Sequence, residues 1–284
     1  MNAPRSDITA HTTRAVRRIL VKVGGAQLEQ AGPRAELCRS VAAARAAGHE
    51  IVLVHGGGNQ IRDLVKRLGL PESYHNGLRV TDAETANVVL MVLAGLVNKE
   101  LVHALESHGV RACGLSGADG ATFVATKRRE LERDLGYVGE VGRTNVRLVD
   151  LLLRDGFLPV IATAAPLQSG ENAPDDRFYN VNADMAAGPL SRAVRADTLL
   201  FLTDVPGVLD AKKERIAQLT PEACASLRLD GVIHGGMIPK VDAALAALSA
   251  NPDAVVKIAP ASGPDAVLRA LSADVGTWFK LEER

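Results

Sequence analysis

The stretch "IVLVHGGGNQI", residues 51–61, joins an apolar run to three glycines. Residues 51–54 are Ile, Val, Leu and Val, with no polar residue among them. A run that is apolar rather than alternating suits a strand covered on both faces. It stops on His55, followed by Gly56, Gly57 and Gly58. Glycine has two uses at such a place. It accepts backbone angles that other residues avoid, which makes a tight turn. It also lets a phosphate or carboxylate approach N–H groups at a helix N-terminus. A glycine cluster alone leaves both readings open.

Runs of this kind recur along the chain: "RILVKVGG" (18–25), "VRACGLS" (110–116), "ATFVATKR" (121–128), "GFLPVIATA" (156–164), "TLLFLTDV" (198–205) and "AVVKIAP" (254–260). Helical patterns lie between many of them. Residues 33–48 are rich in Ala and Arg and close on Gly48. Residues 82–109 open on Asp82 as a cap and close on Gly109. Residues 235–251 carry Pro239 near the first turn, where a missing N–H costs little. Strand–helix alternation predicts an α/β fold, a mostly parallel sheet covered on both sides. Residues 126–141 depart from the alternation and read as a hairpin, and 168–177 as a polar loop.

Composition narrows the function. The 284 residues suffice for one large domain or two lobes around a sizeable core. Lys plus Arg equals Asp plus Glu, 33 each, so no global charge draws nucleic acid or an anionic membrane. Aromatics are 3%, too few for base-stacking platforms. Cys38, Cys113 and Cys224 are odd in number and widely spaced, giving neither a metal-ligand pattern nor a disulfide framework. With no secretory signal or membrane-spanning pattern read in the chain, a cytoplasmic setting is expected.

In parallel sheets ligands bind beyond the carboxyl ends of the strands. Lys22, Gly24 and Gly25 follow the first strand, the three glycines the second, and Asp204 follows 198–203. There is no G-x-x-x-x-G-K-[ST] loop and no G-x-G-x-x-G fingerprint. Lys22 interrupts an apolar strand, which is costly without an anion nearby. Lys240 falls in an expected first helical turn. Asn180, Asn182 and Asp184 alternate in "YNVNADMAA", and Arg79 sits in "NGLRVTD". Each has a plain alternative: a strand-end lysine reaching solvent, an exposed helix lysine, an Asx turn with an N-cap, a surface arginine. Together they make a kit for phosphoryl transfer, which needs positioning and charge neutralisation more than covalent chemistry. Arg suits a substrate carboxylate through paired hydrogen bonds.

At this point the sequence resembles the amino acid kinase superfamily, and within it the acetylglutamate kinases. The resemblance covers about residues 18–258. It rests on "VKVGG", "VHGGGNQI", "NGLRVTD", "MVLAGLVNKELV", "GLSGADG", "DLGYVGEV", "YNVNADMAA", "LTDVPGVL" and "GGMIPKV" in order. It implies an αβα sandwich in two lobes: residues 17–195 for the amino-acid substrate and 196–284 for ATP, after a short polar lead over 1–16. It implies ATP-dependent phosphorylation of the side-chain carboxylate of N-acetyl-L-glutamate, with Mg²⁺ arriving on the nucleotide and no separate protein metal site. By the same resemblance Lys22 and Lys240 stabilise the moving phosphoryl group, Asp184 holds the lysines, and Gly25 offers its N–H. Gly57 and Gly58 contact the acetylglutamate, and Arg79 with Asn180 its α-carboxylate, with Asn182 a second-rank substrate-binding candidate beside Asp184. Asp204, Val205, Pro206, Gly207, Val208 and Leu209 form the nucleotide turn, faced by Val232, Ile233 and His234. The lysines are expected to meet only around the phosphoryl group, and neither to support the core.

The sequence departs from the family pattern in places. Asn59 stands where Pro is common, and 257–271 lacks the usual Gly-Arg and His. "DITAHTTRAVRR" is a poor match to the long N-terminal helix of the arginine-inhibited hexamers, so a homodimer is expected. Two other functions fit the residues: a kinase for a related acidic group, such as carrier-bound aminoadipate, and a non-catalytic sensor of nucleotide or amino acid.

Overall fold

The structure, a computed structural model, describes residues 18–171, 175–263 and 265–281. The lead over 1–16 lies outside them. The main sheet has eight strands. They are β1 (Arg18–Val23), β2 (Glu50–His55), β3 (Ala112–Leu115), β4 (Leu158–Ala162), β5 (Thr198–Thr203), β6 (Gln218–Leu219), β7 (Val255–Pro260) and β8 (Thr277–Phe279). Their order across the sheet is β6-β8-β7-β5-β1-β2-β4-β3. All pairs are parallel except β7 with β8. The mostly parallel sheet is therefore as the strand–helix alternation predicts. The sheet is continuous across the expected boundary between 17–195 and 196–284, because β1 pairs with β2 on one side and β5 on the other.

Period-two alternation sends the side chains of each strand to two cores. On one face Ile19, Val21 and Val23 pack with α1 (Ala31–Ala46), α2 (Gly58–Arg67) and α3 (Ala83–Glu106). On the other, Leu20, Val52, Val54 and Phe201 pack with α4 (Ala183–Ala193) and α5 (Met237–Ala250). The result is the expected three-layer sandwich.

Asp82 caps α3 by accepting from the Thr85 N–H. The middle turn of α3, Met91–Val97, is widened into a π-helical segment. α3 has 24 residues, and its most apolar 18-residue window has mean hydropathy 1.7, enough by length and composition to cross a bilayer. Length and composition do not separate a span from a core helix. Here Val88, Val89, Val92, Leu93, Val97, Leu101 and Leu105 lie in the core beneath the sheet.

A second sheet of four strands stands apart. Phe123–Lys127 and Val138–Thr144 form its antiparallel hairpin, as 126–141 suggests. Tyr179–Val181 joins that hairpin as a strand, where the Asn-rich sequence reads as a turn. Tertiary pairing overrides the local preference there.

Candidate active site

The C-terminal ends of β5, β1 and β2 lie side by side, with Val23 level with both Leu202 and His55. The sheet order reverses about β1, the position where open α/β sheets hold ligands. A cleft of about 250 Å³ opens here. That is below the roughly 300–1,000 Å³ of drug-sized sites and suits a small ligand. Its walls include Lys22, Gly25, Gly57, Gly58, Arg79, Asn180, Asn182 and Asp184.

Lys22 shares its strand face with Leu20, so it points under α4, whose Ala186, Ala187 and Leu190 cover that face. Asp184 lies in the first turn of α4. Its carboxylate therefore sits at the positive end of the helix, directly over Lys22. Gly188 lets α5 come close: a Cβ there would lie 3.1 Å from Ala247. That approach brings Lys240, in the first turn of α5, to the same carboxylate.

Lys22 Nζ is 2.8 Å from Asp184 Oδ1, and Lys240 Nζ is 3.4 Å from Oδ2. The lysines thus meet at Asp184 without any phosphoryl group between them, which corrects the expectation that only the ligand joins them. Lys22 is 4% exposed, so it is part of the packed interior, contrary to the expectation that it supports no core. Burial pushes its ammonium below the ordinary lysine value; Asp184 pulls the other way and Lys240 adds to the lowering. Burial alone would raise Asp184, but the two lysines outweigh it and hold it below the usual carboxylate range.

The glycine turn has a different cause from the one its composition first offers. Gly57 has φ 179°, which is extended backbone, and neither Gly56 nor Gly58 has a positive φ. The requirement at Gly57 is space: a Cβ would lie 2.9 Å from Leu93 Cδ2 and 3.2 Å from Val97 Cγ2. Both neighbours come from the π-helical segment of α3. Gly58 is the first residue of α2, so its N–H is among those without an intrahelical partner. A Cβ on Gly25 would stand 3.8 Å from that nitrogen.

Arg79 is buried, with NH1 2.5 Å from Glu72 Oε1 and NH2 donating to Gly58 O at 3.0 Å. The Tyr74 ring lies 4.9 Å from its guanidinium carbon. Residues Tyr74–His75 and Leu78–Arg79 form a small hairpin that pairs Tyr74 with Arg79. Its turn is Asn76-Gly77, both at positive φ. This is the strongest short hairpin signal a sequence carries, and it marks Tyr74 and Glu72, which motif spacing misses. Asn180 Nδ2 donates to Thr81 Oγ1 at 3.3 Å. Asn182 is the N-cap of α4, accepting from the Asp184 and Met185 N–H groups. Its cap role, one of the two readings of that stretch, is present in the structure.

Lys240, residues 204–209 and residues 232–234 are not among the walls of the cleft. Asp204 begins the turn after β5 and accepts from Thr203 Oγ1. Val208 is a structural residue rather than one facing a ligand: its side chain is buried, its N–H goes to Thr277 Oγ1 and its carbonyl accepts from Ile216. Ile233 is likewise turned into the core, 2% exposed, with its N–H bonded to Leu227 O. Among the described residues no three His, Cys, Asp or Glu side chains cluster as metal ligands.

His55 is a group that spacing does not reveal. It is fully buried beside the glycine turn, and burial pulls its imidazole down to about 4, against a backbone bond to Gly56 that raises it and Lys99 that lowers it further. In the unfolded chain it titrates near 6.5. Between those values the unfolded state binds the extra proton, so stability rises with pH there. The contribution is complete above about pH 6.5 and is lost as pH falls toward 4, a loss of about 3 kcal/mol. Melting curves across this range should show the loss in the wild type, and a His55→Asn protein should lack that part of the pH dependence. Equal slopes in both proteins would contradict it.

The fold and cleft define a class. A family model described as "Amino acid kinase family" matches residues 17–257, and the chain belongs to that family. It is similar to an acetylglutamate kinase of Methanopyrus kandleri, 47% identical over 239 residues, which cover 82% of this chain and 91% of that protein. An acetylglutamate kinase of Koribacter versatilis is 42% identical over 250 residues, 88% and 93% of the two chains. Among solved structures, smu.665 from Streptococcus mutans aligns with a TM-score of 0.76 and 29% identity, over 93% of this chain and 98% of that one.

Proposed function

We propose that this protein transfers the γ-phosphoryl group of ATP to the side-chain carboxylate of N-acetyl-L-glutamate, giving an acyl phosphate and ADP. The observation that carries the reading is the Lys22–Asp184–Lys240 cluster at the head of a small cleft. The relatives named acetylglutamate kinase supply the substrate.

The attacking carboxylate is already ionised at neutral pH, so no general base is needed. Asp184, engaged by two ammonium groups, organises cations and does not take a proton. As the phosphoryl group enters, the lysines turn toward its oxygens and neutralise charge that spreads in the transition state. The N–H groups of Gly25, Gly57 and Gly58 bind reacting oxygens. Residues 17–195 hold the amino acid and 196–284 the nucleotide, with Asp204 through Gly207, Leu209, Val232 and His234 beside it and Val208 and Ile233 packed behind them. The donor set of the cleft is cationic and fits phosphate oxygens, so Mg²⁺ is held chiefly by ATP, whose charge it neutralises. In this reading the chain is a cytoplasmic homodimer. Met91 and Leu96, 54% and 52% exposed on the outer side of α3, offer an apolar surface for the partner to cover.

Trapping the acyl phosphate as a hydroxamate, with acetylglutamate, ATP and Mg²⁺, tests the reaction. ADP release without hydroxamate would reject it. Arg79 tests the substrate pose. Its proposed partner is the α-carboxylate, which does not react, and Glu72 occupies the guanidinium until substrate arrives. Arg79→Ala should raise the KM for acetylglutamate about 10- to 150-fold, with much less effect on ATP. Equal damage to both KM values would show the assignment to be wrong.

A further inference from the structure

We infer that His55, which does not line the cleft, is a positioning residue for the reaction: its imidazole pins the Gly56–Gly57 peptide so that the Gly57 N–H faces the substrate. The inference rests on the phosphoryl-transfer reading above and adds to it a residue that contacts neither substrate.

The tautomer follows from the partners. Asn98 is fully buried, and its Nδ2 donates to Val160 O at 2.9 Å. A carbonyl only accepts, which fixes the orientation of the Asn98 amide. The same Nδ2 is 3.0 Å from His55 Nε2, so Nε2 accepts. The imidazole proton therefore sits on Nδ1, 3.0 Å from Gly56 O, and donates to it. Room for this arrangement is built in, since a Cβ on Gly114 would overlap the Asn98 amide.

The consequence lies in the peptide. There are no cis peptide bonds among the described residues. In a trans peptide the C=O and the next N–H point in opposite directions. Holding Gly56 O toward the buried imidazole turns the Gly57 N–H away from it, toward the cleft that Gly56, Gly57 and Gly58 line. A peptide between two glycines rotates more easily than any other, because neither flank has a Cβ. Crowding by Leu93 and Val97 excludes a larger residue at Gly57, so rigidity cannot come from the turn itself. It comes from His55. A rotated peptide would present a carbonyl oxygen, not a donor, to an anionic substrate.

Two substitutions separate positioning from packing. Asn places its polar atoms near the position of Nδ1, and Gln near that of Nε2. His55→Gln keeps an acceptor for Asn98 and loses the donor to Gly56 O; His55→Asn does the reverse. Both should melt lower than the wild type. His55→Gln should lose about 10- to 100-fold in kcat/KM for acetylglutamate, the order expected when a reacting group is misplaced, and His55→Asn should stay within about threefold. If both variants lose activity in step with their melting temperatures, His55 is only a packing residue and the inference fails. If the wild type itself forms no acyl phosphate, the functional reading fails instead. A third measurement does not depend on the variants folding. The imidazole ¹⁵N spectrum of the wild type at pH 7 should show the Nδ1–H tautomer for His55, and the Nε2–H tautomer would overturn the inference.

Discussion

Lys240→Ala is expected to lower kcat on the order of 10²-fold while hardly changing stability. Lys240 stands in the first turn of α5 with its side chain 24% exposed, 3.4 Å from Asp184. The contact is long and Lys240 is partly exposed, so removing it costs on the order of 1 kcal/mol. Asp184 keeps Lys22 at 2.8 Å, so no carboxylate is left alone. What is lost is one cation for the charge that spreads over the phosphoryl oxygens, and that loss falls on the chemical step. Steady-state kinetics with a thermal melt as control decide it. A well-folded Lys240→Ala protein with near-normal kcat would remove the two-lysine mechanism and most of the site with it.

Lys22→Arg should lose at least as much kcat, on the order of 10²-fold, and should also be less stable. The charge is kept, but a compact ammonium becomes a wide planar fork. Lys22 is 4% exposed beneath α4, between the sheet and the helix that carries Asp184. Extra volume in such a place costs about 1–3 kcal/mol. The two lysines are thus told apart by their melts: Lys240→Ala near the wild type, Lys22→Arg clearly below it. A Lys22→Arg protein that turned over normally would show that charge alone suffices at this position.

That contrast separates what is legible in the sequence from what is not. Unbroken apolar runs such as 51–54 and 199–202 announce buried parallel strands, because a strand covered on both faces tolerates no polar alternation. Asp82 announces a helix start, because an N-cap is a local hydrogen bond between neighbours in sequence. Lys22, Gly57, Arg79 and Asp184 stand out for the same local reason, being charge or glycine where the surrounding pattern calls for neither. The hairpin at Asn76-Gly77 carries an equally local signal, one that the motifs above pass over.

By itself, then, the sequence determined the α/β class, the positions of the main parallel strands and the residue types of a phosphoryl-transfer site. Tertiary structure alone decided how those residues act. Lys22 reads as part of a strand and Lys240 as part of a helix start, and only the packing of α4 and α5 brings them, one interior and the other partly exposed, to a shared carboxylate. Gly57 looks like a turn glycine, and only α3, delivering Leu93 and Val97 from about 40 residues away, makes it a matter of space. Val208 and Ile233 look like part of a ligand-facing turn, and their burial follows from β8 and the helix Pro221–Leu229. His55 reads as the end of a strand until Asn98 sets its tautomer. The physical reason is the same in each case. Propensity, capping and burial pattern are properties of neighbours along the chain, whereas the sign of a pKa shift, the room for a Cβ and the direction of a proton depend on atoms that only folding brings together.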